Sequence, residues 1–199
     1  MADELNFNTT QGKTIARELQ ISYLNTGTFA EPIWSPVGRR VESSDMEFDW
    51  DTNTYTDIFG NKYTDGKKAT RTQSFDPWAL DSIDVAQKKI WNLAVRDDDI
   101  QALLNQDMLI AHFYAGGSEN GKENFAERYE SCSVLPTRQG GDGGGNISIG
   151  IDVTYGGTRT MGKVSRGEDG AITFTPDGNP EIQSYSGYSV SRSTSRLGE

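Results

Sequence analysis

The sequence predicts a mainly β protein: a β-sandwich or open barrel with one flanking α-helix, a long hairpin loop and extended termini. Three observations carry this expectation. From Asn146 to Tyr155 the chain alternates without fault. Ile147, Ile149, Ile151, Val153 and Tyr155 fall on one face, and Ser148, Gly150, Asp152 and Thr154 on the other, which is the period of a strand. A single convincing helical stripe, about Ser82 to Val95, carries Ile83, Ala86, Ile90 and Ala94 with Val85 and Trp91 beside them. Hydrophobic residues are only 34% of the 199, yet they gather in short blocks between Gly-rich and Ser/Thr-rich stretches, the texture of strands joined by turns.

Taken in order, residues 1–19 read as an N-terminal arm, and residues 20–176 as the β domain. Gln20 opens a first strand through Ile21 and Tyr23, interrupted at Gly27 and Glu31-Pro32. Ser44 to Asp51 alternates, with Met46, Phe48 and Trp50 on a face expected to be half buried and Asp45, Glu47, Asp49 and Asp51 on the other. Like charges along one face repel, so basic partners or open water are expected opposite them. Phe59-Gly60-Asn61 and Asp65-Gly66 are turn signals, and Lys67 to Phe75 reads as a further strand. Residues 41–75 thus form a long hairpin or loop rich in aromatics. Connections beyond about 12–15 residues tend to be functional. This one is either folded back on its own sheet or docked on a neighbouring subunit.

The helix is expected to be capped by Asp81 or Ser82 and to turn Lys88 and Lys89 to water. A short second turn covers Asp98 to Asn105, with Asp97-Asp98-Asp99 at its N-terminal end. Met108 to Tyr114 and Phe125 to Leu135 read as strands, the second leading to Pro136. A turn spans Gly116 to Gly121, and Gly140 to Gly145 is a flexible loop. A weaker hairpin contains Ile172 and Phe174. Residues 177–199, Ser-rich with few core formers, read as a flexible C-terminal arm.

Composition excludes several function classes. With 19 Lys plus Arg against 29 Asp plus Glu, the formal charge of −10 disfavours gripping nucleic acid, which requires cations to displace counterions. The same charge disfavours anionic membrane surfaces. A single cysteine, Cys132, and a single histidine, His112, exclude a disulfide framework and the usual zinc sites. The opening residues hold no apolar run of a signal peptide, and no stretch approaches the ~20 apolar residues of a membrane span.

Motif fragments fail on inspection. Gly12-Lys13-Thr14 resembles the end of a phosphate-binding loop, but Phe7 stands where the first glycine is required. Asp51 to Lys62 has oxygen ligands at alternate positions, yet Thr56 replaces the turn glycine and Lys62 the final glutamate of a calcium loop. The Gly140–Gly145 loop holds Asp142 at its centre, which repels phosphate. Asp97-Asp98-Asp99 point in different directions and suit capping or solvent. His112 and Cys132 have no nucleophile, base and orienting group around them. The expectation is a protein without catalytic residues, cofactor or metal.

Glu31 to Gly38, the acidic strand to Trp50, Asp57 to Asn61, Lys67 to Trp78, the single helix, and Tyr129 to Gly145 leading into Ile147 to Gly157 together resemble the major tail tube proteins of long-tailed (siphovirus-type) bacteriophages. The resemblance covers roughly residues 20–165 and is one of texture and element order. It implies a β-sandwich virion protein that closes into hexameric rings, stacks into a hollow tube and conducts DNA to the host cell. The hairpin at Val41 to Phe75 would reach the adjacent ring, and the terminal arms would brace it. Trp34, Trp50, Tyr55, Phe59, Tyr63 and Phe75 are the aromatics expected at inter-subunit contacts. Implied partners are further copies of the chain, a tape-measure protein in the lumen, and tail-terminator and baseplate or tail-tip proteins. Genomic DNA would pass without specific binding, past lumenal faces that carry the excess acid, and no membrane is involved. Assembly would occur in the host cytoplasm. Type VI secretion tube proteins look similar in fold but lack the long hairpin and extended tail. Two alternatives stand beside this reading: another virion ring component, such as a tail terminator or baseplate protein, and a β-sandwich module that binds a carbohydrate or host receptor.

Overall fold

The computed structural model describes residues 6–8, 12–116 and 123–178. Residues 117–121 of the turn expected at Gly116 to Gly121 and most of the C-terminal arm lie outside the described residues.

Alternating stretches become strands: β1 Gln20–Asn25, β2 Trp34–Pro36, β3 Met46–Asp49, β4 Thr52–Thr56, β5 Lys62–Gly66 and β6 Thr70–Ala79. After the helical region come β7 Gln106–His112, β8 Asn124–Gly140, β9 Ser148–Tyr155, β10 Arg159–Arg166 and β11 Ile172–Pro176. Every pairing among them is antiparallel.

The architecture turns on β8. Its first half pairs with β7 and β10, extending a sheet ordered β2-β1-β7-β8-β10-β11. Its second half pairs with β9, and β9 leads on to β6 and β3. One long strand therefore belongs to both halves of a sandwich-like fold. Pro136 does not end it as the sequence suggests, because the ladder absorbs the missing donor in an irregularity between Pro136 and Arg138.

The main core lies between the halves. Leu24, Met108 and Ile110 meet Phe75, Trp78, Val134, Ile149, Ile151 and Val153 there, with Tyr129, Cys132 and Tyr155. Ile147 begins the alternation of β9 but remains exposed. A second cluster, with Tyr23, Trp34, Leu109, Ala111, Ala126 and Val164, covers the opposite face of the first sheet. A polar group crosses this interior with its partners beside it. Tyr155 Oη donates to Gln73 Oε1 at 2.6 Å, and Ser22 Oγ donates to the same oxygen at 2.8 Å.

The helix is shorter than its sequence stripe. Helix α1, Val85–Trp91, is capped by Asp84, whose side chain accepts from Gln87 N, and it runs into a π turn at Asn92–Arg96. Asp81 and Ser82 precede the cap rather than form it. Ala86 and Ile90 enter the core, while Ile83 and Val85 face outward. Lys89 does not face water: its Nζ donates to Asn25 O at 2.6 Å, and burial lowers its pKa. Helix α2, Ile100–Leu103, is capped by Asp99, which accepts from Ala102 N. Residues 6–8 of the N-terminal arm lie back on the domain, with Phe7 bridged to Ala115.

Candidate assembly surface

Strands β4 and β5 form a two-stranded sheet of their own, separate from the nine-stranded one, and every residue in both strands is exposed. Two-stranded hairpins are marginally stable alone in water. This one is held by cross-strand pairs: Tyr55 stacks on Tyr63 with centroids 5.6 Å apart, and the hydroxyls of Thr54 and Thr64 lie 3.0 Å apart. Such pairs contribute about 0.2–1 kcal/mol each, too little to replace a packed face.

Its tip is built by Asp57. One carboxylate oxygen accepts from Phe59 N (2.8 Å) and Asn61 N (2.9 Å), and the other from Asn61 Nδ2 (3.0 Å). The Asn61 side-chain bond, then the Asn61 backbone bond, lower the Asp57 pKa. Gly60 supplies the positive φ, 85°, that closes the turn. This polar frame carries two apolar side chains on its outside, Ile58 at 95% and Phe59 at 83% exposure.

At the root, Phe48 and Trp50 stack with centroids 6.4 Å apart and planes 13° from parallel. They were expected on a half-buried face, but Trp50 is 64% exposed. The strand has run off the edge of the sheet by that point, and β3 ends at Asp49. The Arg71 guanidinium lies over the Phe48 ring, 5.1 Å from its centroid. Its Nη1 donates to Glu127 Oε2 at 2.6 Å.

Glu127 is buried and gathers partners from several strands. His112 Nε2 lies 3.0 Å from its Oε1, and Tyr129 Oη donates to its Oε2 at 2.9 Å. Arg159 Nε donates to the same Oε2. Burial opposes the charged form, but the bonds from His112 and Arg71 and the charge of Arg159 outweigh it and hold the carboxyl below the usual range. Burial first, then the Glu127 charge, push the Tyr129 hydroxyl well up. The sequence shows no trace of this hub, because its members lie at 71, 112, 127, 129 and 159 and each looks like an ordinary strand residue.

The outer face of β3, β6 and β9 is acidic. Asp45, Glu47, Asp76 and Asp152, with Ser44 and Thr154, line a shallow depression of about 500 Å³. Basic partners or open water were expected opposite the acids of Ser44 to Asp51: Asp51 pairs with Lys67 at 2.6 Å, and Asp76, on β6, pairs with Arg138.

Of the six aromatics expected at contacts, Trp50, Tyr55, Phe59 and Tyr63 are exposed on the hairpin or its root. The other two are buried within the chain. Trp34 is 7% exposed and packs in the second cluster, 5.7 Å from Arg128, whose guanidinium pairs with Asp107. Phe75 is 3% exposed and packs in the main core, under Gly38. Ile58, absent from the six, is exposed beside Phe59; its signal was a pair of apolar residues inside a turn. Asp99 caps a helix, Asp97 pairs with Arg96, and Cys132 is buried.

No family model matches the sequence, and no curated protein matches it. Solved structures resemble the chain distantly. A sheath/tube terminator of the extracellular contractile injection system PVC is 13% identical at a TM-score of 0.47, over 76% of this chain and 99% of its own. A chain from the PVC sheath–tube complex is 12% identical at 0.46, over 76% and 93%. A tube-terminating cap of the anti-feeding prophage is 16% identical at 0.45, over 77% and 94%. None of these three is described as the major tail protein of a long-tailed phage.

Proposed function

We propose that this chain is a non-enzymatic structural subunit that closes into rings and stacks them into a hollow tube of the phage-tail type. The observation that carries this reading is the β4–β5 hairpin. It extends from the domain with both faces and an apolar tip exposed, and a two-stranded ribbon of this kind needs a partner to be stable. A second copy supplies that partner, and a contact between different surfaces of identical chains propagates into rings or stacks. The acidic face of β3, β6 and β9 suits a lumen that lets DNA pass without sticking. Repulsion there acts over about 8 Å at physiological salt, so it is effective in a narrow channel.

Hexameric rings, a tape-measure protein in the lumen and DNA delivery follow from the sequence resemblance and are part of this proposal. A terminator or cap component differs in one respect: it forms a ring on the end of a tube and stops. Negative-stain electron microscopy of the purified protein over a concentration series separates the readings. Hollow tubes of stacked rings are the expected result. Isolated rings that never stack identify a terminator or cap, and a persistent monomer contradicts both.

A further inference from the structure

The described residues end at Gly178, on the lip of an open groove. Asp177 N donates to Met161 O at 3.0 Å, so the β10–β11 ladder continues past Pro176. The same register sets Gly178 beside Thr160 and points the following residues at Arg159 and Thr158. Those two residues form one wall of a groove of about 730 Å³, and Phe48, Trp50, Arg71 and Tyr155 contribute to the others. Phe48, Arg71 and Tyr155 stand in register across β3, β6 and β9, so the aromatic wall lies about 10 Å, two strand spacings, from β9. Phe48 and Trp50 stack on each other and still leave their outer surfaces exposed.

We infer that the C-terminal segment of the same chain, residues 179–190, occupies this groove and lays Ile182 and Tyr185 against Phe48 and Trp50. The contact lies within one subunit and is independent of the tube reading. Three features support it. The chain leaves its last ladder bond two residues short of the groove wall, so the segment starts where the groove begins. Its reach fits: at about 3.3 Å per residue, Ile182 and Tyr185 can stand roughly 13 and 23 Å beyond Gly178. Those distances bracket the path across the β9–β10 turn and the two strand spacings to the aromatic pair. Its composition fits as well. The apolar residues after Gly178 are Ile182, Tyr185, Tyr188, Val190 and Leu197, so all but the last crowd into the part that can reach the groove. Ser184, Ser186, Gly187 and Ser189 between them are small enough to lie flat in a cleft. A segment tethered this closely meets the site at an effective concentration of about millimolar, which favours it over the same segment of another chain.

The test is cross-linking within the dilute, full-length chain. One variant carries Ser184→Cys with Thr70→Cys, the latter on the exposed groove wall, and the native Cys132 is buried and stays silent. The control carries Ser184→Cys with Thr173→Cys, an exposed site on β11 that an undocked segment reaches just as readily, about 17 Å back from Gly178. With a short bismaleimide, the link within one chain is expected to form about tenfold faster to Thr70→Cys than to Thr173→Cys. Adding Ile182→Ser/Tyr185→Ser is expected to remove that preference. A second measurement leaves the groove untouched: Ile182→Ser/Tyr185→Ser alone is expected to shift tryptophan emission to the red and to increase quenching by acrylamide, because Trp50 loses its cover. Equal rates for the two cysteine pairs overturn the inference. A Thr70→Cys link found only between chains also overturns it, and assigns the groove to the segment of a second copy. Unchanged emission and quenching in Ile182→Ser/Tyr185→Ser overturn it as well, and none of these results bears on the tube reading.

Discussion

Arg71 and Glu127 join at 2.6 Å across the sandwich, one from β6 and the other from the first half of β8. The same guanidinium covers the Phe48 ring, so a single side chain couples the buried polar hub to the aromatic pair from which the hairpin springs. The core thereby fixes where the hairpin begins.

Removing the carboxylate leaves Arg71 and Arg159 facing each other without a counter-charge. Breaking a buried pair by deleting one partner costs about 3–5 kcal/mol. Glu127→Gln is therefore expected to lower the urea midpoint sharply, measured in an assembly-deficient background so that association does not add apparent stability. The pH dependence has a definite sign. The folded pKa of Glu127 is depressed, so its stabilisation is fully present above the unfolded value of about 4.3 and is lost as pH falls from there towards the depressed value. Wild type is expected to lose stability below about pH 4 more steeply than Glu127→Gln does.

Cys132 sits in the main core, where burial pushes its thiol up to about 12. The thiolate is the reactive form, so the native protein at pH 8 is expected to react with an aromatic disulfide reagent only through global opening. The rate should rise with urea in step with unfolding. A fast burst of labelling in native buffer contradicts the placement.

Two glycines separate core from tip. A Cβ on Gly38 meets Phe75 Cδ1 at 2.6 Å and the backbone has φ 88°, whereas Gly60 has φ 85° with nothing within 4 Å. Both substitutions to Ala incur left-handed strain of about 1–2 kcal/mol. Gly38→Ala adds overpacking of about 1–3 kcal/mol, so thermal denaturation should show it as the more damaging of the two.

What could be read in the sequence was whatever depends on local period. The β9 alternation placed Ile149, Ile151, Val153 and Tyr155 in the core directly, because one face of that strand meets the opposite sheet. Helix α1 was found but overextended, since Ile83 and Val85 are apolar without being buried and the cap is Asp84. Tertiary partners decide such positions, and spacing does not encode them. For the same reason Trp34 and Phe75 looked like contact aromatics: the apolar side chains that bury each come from distant strands. The hairpin was legible as a long aromatic excursion, while its detachment from the sheet was not. The Glu127 hub left no local signal at all.

The central claim is that the exposed hairpin tip drives self-association and contributes nothing to the fold of its own domain. Sedimentation velocity of Ile58→Ser/Phe59→Ser beside wild type, over the same concentration series, tests it most directly. The account predicts that wild type forms large particles while the variant stays monomeric with an unfolding midpoint within about 0.5 kcal/mol of wild type, as for surface changes away from packed features. A variant that assembles as wild type does, at the same concentrations, contradicts it.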